Sequence, residues 1–197
     1  MKKILSFVLF ATILILSSCG IKDTKTELES LAKCKFQIKS IQEMTIAGTP
    51  LEKIAKNGNL DLGSLPGIAI AALQKNIPLD AIINLEITNP TESKASIDEF
   101  DYIILFENKE LANGTVNQQI SVPSKETSVV PIQIKGEVYN MIFGNDKALL
   151  NFLLGDNSSK ANFTIKVKPT LTVAGQKIKY PGYISIDKQL SRDILFK

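Results

Sequence analysis

The sequence predicts an all-β domain, one β-sandwich of about seven strands with one or two short covering helices, over residues 34–197. Two observations support this prediction. Apolar residues recur mainly at every second position from residue 34 onward, which is the period of a strand with one buried face. Turn-forming residues separate these segments at short intervals. A domain of this length buries about 70% of its unfolded surface, enough for a core without disulfides.

The first predicted strand begins with Cys34, Phe36 and Ile38, which alternate with polar residues. Residues 66–76 then predict a short helix. Residues 77–88 predict a strand that places aliphatic side chains on one face. Asn89-Pro90 ends this strand, because the residue before proline is held extended and asparagine readily starts a turn.

The later strands follow the same alternation. Residues 100–106 predict a strand that turns at 107–110 into a second strand at 111–120, and residues 127–134 predict a third. Pro131 places that third strand at a sheet edge or a bulge. Residues 161–167 and 178–183 predict two strands joined by a hairpin at 174–176.

A second helix is predicted for residues 146–154, with Asn145 or Asp146 as its N-cap and Gly155 as its stop. Its leucines and phenylalanine make it apolar almost all round. We therefore expect it to cover an open edge or end of the sheets.

The N-terminus predicts export. Lys2 and Lys3 precede an apolar run at 4–16, which has the length of a secretory signal but is too short to span a bilayer. Residues 16–20 (LSSCG) resemble the bacterial lipobox. That resemblance implies cleavage between Ser18 and Cys19, and a diacylglyceryl group with further acyl chains such as palmitate on Cys19. The acyl chains make attachment stable, since each buried CH₂ contributes about 0.8 kcal/mol.

The predicted organisation is a lipoprotein signal peptide (1–18), a lipidated cysteine with a polar tether (19–33) and the β-domain (34–197). The tether includes a helical turn near 26–32, and as a coil its reach would be roughly 20 Å. Because Gly20 stands after the cysteine rather than aspartate, the resemblance favours the periplasmic side of the outer membrane over the inner membrane in a two-membrane envelope.

The composition argues against catalysis. The chain contains no His and no Trp, which excludes Ser-His-Asp and Cys-His catalysis and any His-ligated metal site. We expect no catalytic residue, no cofactor and no metal. Two of the 23 basic residues lie in the predicted signal, so 21 basic residues then face 20 acidic ones. This balance does not fit a nucleic-acid partner.

Three groups of residues are candidates for sites. Cys34 has no partner if Cys19 is alkylated, and a structural role in the core is favoured over a reactive thiol. One acidic cluster offers oxygen ligands to calcium, but solvated turn carboxylates are the favoured interpretation. One basic group offers a patch for anionic lipid or glycan, although a solvated face that protects a strand edge is favoured. The acidic cluster is Asp98, Glu99 and Asp101, and the basic group is Lys166, Lys168, Lys177 and Lys179.

Residues 82–135 resemble the late-embryogenesis-abundant (LEA) type 2 domain, also called the water-stress and hypersensitive-response (WHy) domain. The features that carry the resemblance are, in order, Asn89-Pro90, Ile97, Tyr102, Glu110-Leu111-Ala112 with Gly114, Val122-Pro123 and a strand at 127–134. At 106–109 the sequence Phe-Glu-Asn-Lys replaces the Asn-Gly hairpin common in the family. The resemblance implies a fibronectin-III/Ig-like Greek-key sandwich that is linked to stress tolerance and lacks catalytic residues.

Two functions of different classes follow as hypotheses. The first is a membrane-anchored, non-enzymatic lipoprotein of the bacterial cell envelope that protects against stress. The second is a module that binds a lipid or other apolar ligand between its sheets or beneath its apolar helix. A third hypothesis, a subunit of an envelope complex, depends on an exposed apolar patch, which a sequence cannot show. The identity of any protein partner is left open.

Overall fold

In the computed structural model, residues 26–27, 29–54, 65–145, 147–155, 159–173 and 176–191 are described. Most of them lie in strands. The elements in chain order are β1 (Lys35–Ile46), β2 (Thr49–Pro50), α1 (Leu51–Ile54), α2 (Pro66–Leu73), β3 (Pro78–Thr88), β4 (Ala95–Ile97), β5 (Glu99–Phe106), β6 (Lys109–Val116), β7 (Ile120–Val122), β8 (Thr127–Glu137), α3 (Tyr139–Phe143), α4 (Ala148–Leu154), β9 (Lys160–Val173), β10 (Gln176–Lys179) and β11 (Ile184–Ser191).

Two antiparallel sheets form a sandwich, which confirms the predicted fold class. The first sheet has the strand order β2-β1-β3-β8. The second sheet has the order β10-β9-β5-β6, and β11 pairs with β9 beside β10. The short strands β4 and β7 pair only with each other. As predicted from Pro131, β8 is an edge strand.

The core forms because each central strand alternates between buried and partly exposed residues. In β3 every second side chain from Leu79 to Ile87 is buried, and β5 and β9 repeat this pattern. The inward side chains of both sheets join one continuous cluster of buried residues. Burying an aliphatic side chain contributes about 1.5–3 kcal/mol, so this cluster is the main source of stability.

The two ends of the sandwich differ. At one end, which we call the entry pole, β1 begins next to the end of β3, so that Lys35 pairs with Thr88. At the other end, the helical pole, the apolar face of α4 covers the strand ends, and Phe152 packs edge-on against Phe106 with ring centroids 5.6 Å apart. This confirms that the second predicted helix covers an end of the sheets.

The predicted N-cap of that helix is wrong. Asp146 lies outside the described residues, and the N-cap position is occupied by Lys147, which is left-handed and makes no capping hydrogen bond through its side chain. Core packing determines where the helix begins, because Leu149, Phe152 and Leu153 are all buried. Gly155 follows the helix as predicted.

Two other boundaries differ from the prediction. The strand expected at 111–120 is divided into β6 and β7, which pair with different strands, and the exposed residues 117–119 connect them. The strand expected at 178–183 ends at Lys179, where Tyr180 and Pro181 turn the chain into β11. The strand β11 was not predicted.

The two sides of the sandwich are closed in different ways. At Gly136, an added Cβ would lie 2.4 Å from the Leu111 carbonyl oxygen, so glycine lets β8 and β6 approach closely. On the opposite side, Lys188 points inward from β11, and its ammonium group donates a 2.6 Å hydrogen bond to the carbonyl of Ile38 in β1. Inward-pointing charges of this kind protect free strand edges from pairing with other chains.

The described helices are short. Not one of them combines the length and the apolar character needed to cross a membrane.

A two-residue turn joins β5 to β6, at the hairpin predicted from the sequence. Glu107 and Asn108 have φ values of 48° and 63°, as in a type I′ turn. Because type I′ turns favour Asn-Gly and Asp-Gly pairs and glycine adopts positive φ without strain, Asn108→Gly should raise the free energy of unfolding in urea denaturation. The control Asn113→Gly, within β6, should lower it by about 0.5–1 kcal/mol. A destabilised Asn108→Gly would contradict this turn geometry.

Candidate functional site

Asn89 is the central polar residue of the entry pole and is completely buried. Its side-chain NH₂ donates to the carbonyls of Ser93, Val122 and Pro123 at 2.8, 3.1 and 3.0 Å. Its side-chain oxygen accepts hydrogen bonds from the backbone N–H and the hydroxyl of Thr91 at 3.0 and 2.8 Å. Asn89 thereby joins its own loop to the end of β7.

The backbone completes this link, since the N–H of Asn89 donates to the Glu126 carbonyl at 2.9 Å. Buried and partly buried carbonyls need donors, and the two N–H groups of this one amide are shared among three carbonyls. The sequence indicated only that Asn89-Pro90 ends a strand. Of the carbonyls that Asn89 binds, that of Ser93 is close in sequence, but those of Val122 and Pro123 are more than 30 residues away. The sequence alone could not identify these two distant partners.

The chain enters the domain beside this loop. Residues 29–33 form a helical turn in which Leu31 is buried, and the N–H of Cys34 donates to the Leu31 carbonyl at 3.0 Å. Lys94, from the Asn89 loop, forms a 3.0 Å ion pair with Glu27. The tether residues nearest the domain are therefore packed against it. Cys19 lies outside the described residues.

Cys34 is half-buried at the start of β1. Its thiol lies 3.4 Å from the Ser30 carbonyl, and burial raises the pKa of the thiol. A thiol with a raised pKa is protonated at neutral pH and is a poor nucleophile. This environment agrees with a structural role.

The predicted acidic cluster and basic patch prove to be partners on one surface, which we call the charged face. Lys177 and Lys179 of β10 form 2.6 Å ion pairs with Glu99 and Asp101 of β5, reaching across β9. Asp98 accepts a 2.5 Å hydrogen bond from the Thr172 N–H and one of 3.2 Å from Gln119. Interactions within the protein thus account for all three carboxylates.

This pairing changes how both groups of residues are interpreted. The basic patch is partly neutralised, because two of its four lysines bind carboxylates. Among the described residues, no three or more of the side-chain types His, Cys, Asp and Glu are grouped to hold a metal ion. The hydrogen bond from Lys179, followed by that from Thr115, lowers the pKa of Asp101. The same contact raises the pKa of Lys179.

Thr170 lies beneath these ion pairs. In the strand register it stands between Glu99 of β5 and Lys179 of β10, and only 1% of its surface is exposed. Its hydroxyl oxygen has no hydrogen-bond partner among the described residues. A buried hydroxyl without a hydrogen-bond partner costs about 1–3 kcal/mol, so the Thr170 hydroxyl lowers the free energy of unfolding.

The helical pole carries an exposed apolar surface. All eight residues of α2 are apolar, and Ile70 and Leu73 are 56% and 85% exposed. A surface helix normally presents polar residues to water.

These features define a β-sandwich module organised around a buried asparagine. The family model described as late embryogenesis abundant protein matches residues 84–181, and over this stretch the chain belongs to that LEA type 2 family. The match begins within β3 and includes Asn89, the charged face and both strands of the 107–108 hairpin. The LEA type 2 family is not known as enzymatic, and the match points to a stress-related LEA-type protein.

Solved structures are also similar. A protein from Archaeoglobus fulgidus is 10% identical, with 58% of this chain and 85% of that one covered and a TM-score of 0.38. A protein from Arabidopsis thaliana is 13% identical, with coverages of 59% and 72% and a TM-score of 0.43. A protein described as a late embryogenesis abundant (LEA) protein is 15% identical, with coverages of 93% and 84% and a TM-score of 0.37. No curated protein matches the chain.

Replacing Asn89 tests the role of the entry pole. Asn89→Ala should lower the free energy of unfolding by about 2–4 kcal/mol in urea denaturation, because it leaves several buried groups without partners. The exposed Asn113→Ala, which loses one surface hydrogen bond to Glu110, should cost less than about 0.5 kcal/mol. Equal effects of the two variants would contradict the central role of Asn89.

Removing the Thr170 hydroxyl, which has no hydrogen-bond partner among the described residues, should stabilise the protein. Thr170→Val keeps the shape of the side chain and should raise the free energy of unfolding by about 1 kcal/mol, measured in the same denaturation assay. Thr172→Val, at an exposed position of the same strand, serves as the control and should change it by less than about 0.5 kcal/mol. A loss of stability in Thr170→Val would show that its hydroxyl has a partner.

The pairing of Asp101 should appear in the pH dependence of stability. Because its pKa is lower in the folded state, its contribution is present above the unfolded value of about 3.9 and is lost as pH falls through the folded value. Asp101→Asn should therefore cost up to about 1 kcal/mol at pH 7, and this cost should decrease as the pH falls below about 3.9. The exposed Asp80→Asn is the control. A cost that does not decrease as the pH falls would contradict this account.

Proposed function

We propose that this protein is a non-enzymatic lipoprotein of the bacterial cell envelope, in which a LEA type 2-like domain is held at a membrane through Cys19 and protects the envelope under stress. The observation that carries the proposal is the junction of tether and domain. Two described residues of the tether contact the domain: Glu27 pairs with Lys94 of the loop organised by Asn89, and Leu31 is buried.

This junction limits how far the domain can move from its membrane. Seven residues, 19–25, precede the first described position, and fully extended they span at most about 25 Å. The domain would therefore stay close to the lipid headgroups, with the entry pole towards the membrane and the helical pole away from it. The periplasmic side of the outer membrane is the site that the residue after Cys19 favours.

Composition supports the non-enzymatic part of the proposal. The chain has no His, and the carboxylates of the charged face are held by lysines, a threonine, a glutamine and a backbone N–H. A carboxylate acting as a general acid or base usually has a raised pKa. Asp101, in contrast, has a lowered one.

A second candidate function is binding of an apolar ligand or partner. The continuous apolar cluster between the sheets argues against a ligand in that layer. The exposed Ile70 and Leu73 of α2 support an interaction outside the sandwich. Native mass spectrometry of the chain from residue 20 tests for an apolar ligand. A lipid that co-purifies with wild type and is lost in Leu73→Ser would support this second candidate.

The anchor is tested by metabolic labelling. Wild-type protein should incorporate an alkyne-palmitate label, accumulate as a precursor in globomycin and fractionate with membranes. Cys19→Ala should lose all three properties, because it lacks the thiol that would be acylated. Cys34→Ala is the matched control and should keep them. Labelling that survives in Cys19→Ala, or that is absent from wild type, would contradict the anchor.

Stress protection needs a separate experiment. A deletion strain should survive desiccation, osmotic shock and cold less well than its parent, and wild-type protein should restore survival. Cys19→Ala should restore less, because it is not held at the membrane. A deletion strain that survives all three challenges as well as the parent would contradict the protective role while leaving the anchor intact.

A further inference from the structure

A shallow cleft lies on the second sheet, on the surface that faces away from the core. Its volume is about 290 Å³, close to the lower end of the roughly 300–1,000 Å³ of small-molecule sites. Strands β5 and β6 form its floor, and Tyr183, from the segment between β10 and β11, forms one wall. The lining side chains include Asp101, Ile103, Glu110, Asn113, Thr115 and Tyr183.

Tyr183 and Ile103 provide apolar surface on an otherwise polar sheet face. The Tyr183 side chain is 44% exposed, and the Lys168 ammonium lies 5.6 Å from the centroid of its ring. A cation at this distance stabilises the orientation of the ring. The half-buried Ile103 lies in the cleft floor. A flat ligand can therefore stack on an aromatic surface that is already oriented.

Planar polar groups surround this apolar surface and are oriented by their neighbours. Thr115 donates a 2.9 Å hydrogen bond to one oxygen of Asp101, and Lys179 binds the other. Asn113 donates a 2.6 Å hydrogen bond to Glu110. Each carboxylate oxygen has lone pairs beyond those used, and Asn113 keeps an amide oxygen and a second N–H. The cleft thus presents both donors and acceptors.

The chemistry of the lining selects one ligand class. The carboxylates of Asp101 and Glu110 are offset by the ammonium groups of Lys179 and Lys168, so the cleft has no excess positive charge to hold phosphates or other anions. The polar rim does not suit an acyl chain. A sugar ring combines a C–H face, which stacks on an aromatic ring, with hydroxyl groups that pair with carboxylates and amides. From this match we infer that the cleft binds a sugar residue of a neutral glycan.

This site is independent of the lipid anchor, of stress protection and of the apolar surface on α2. Because the cleft is shallow and accommodates about one ring, its affinity for a short oligosaccharide is expected to be weak, with Kd near 1 mM. The overall affinity rises when several copies of a weak site bind one polymer. Many copies of the protein held on one membrane would bind a glycan in this way.

The test is an NMR titration of the ¹⁵N-labelled chain from residue 19, carrying Cys19→Ala, which contains every described residue. The probes are chitotetraose, cellotetraose and maltotetraose. At least one should cause saturable shifts of the amides of Ile103, Asn113, Thr115 and Tyr183. Tyr183→Ala should weaken binding at least about tenfold, equivalent to 1.4 kcal/mol.

Tyr180→Ala is the matched control, because Tyr180 belongs to the same segment but not to the cleft lining, and its affinity should equal that of wild type. Asn113→Ala offers a second cleft variant at an exposed position and should also weaken binding. The inference is overturned if none of the three probes gives saturable shifts up to about 10 mM. It is also overturned if the shifts map elsewhere, or if Tyr183→Ala binds as tightly as wild type.

Discussion

The hydrogen bonds of Asn89 are the constraint on which the architecture of the entry pole depends. One buried side chain binds the carbonyls of Ser93, Val122 and Pro123 and accepts two hydrogen bonds from Thr91. These contacts fix the loop that follows β3 against the end of β7. The same loop carries Lys94, which pairs with Glu27 of the tether. A structural asparagine therefore connects the sandwich to the part of the chain proposed to reach the membrane.

The strands were predictable from the sequence where the inward side chains stand at every second position, as in β3, β5 and the first half of β9. The prediction failed where packing interrupts this alternation. In β1, register shifts after Ile38 and after Gln42 change which side chains face inward, and Glu43 adopts a positive φ. In β11 the inward position 188 holds a lysine, which binds a backbone carbonyl across the gap between the sheets.

The candidate sites were predictable only in part, because their residues come from distant segments. The acidic residues near 100 and the lysines near 178 were recognised separately, but only the strand register shows that they neutralise each other across β9. Tyr183 is the last residue of the predicted strand 178–183, and nothing in the sequence marks it as part of a cleft. The lipidation motif at Cys19 is the opposite case, since it is local in sequence and requires no tertiary structure.

The most direct test of the role of Asn89 is native-state hydrogen exchange on the unmodified fold. The amide of Thr91 lies in a loop, yet it donates to the buried side chain of Asn89, and the amide of Asn89 donates to Glu126. We expect both amides to exchange as slowly as those in the centre of β3, because they open only when the domain unfolds. Exchange of these two amides at rates typical of exposed loops, while β3 remains protected, would contradict the account.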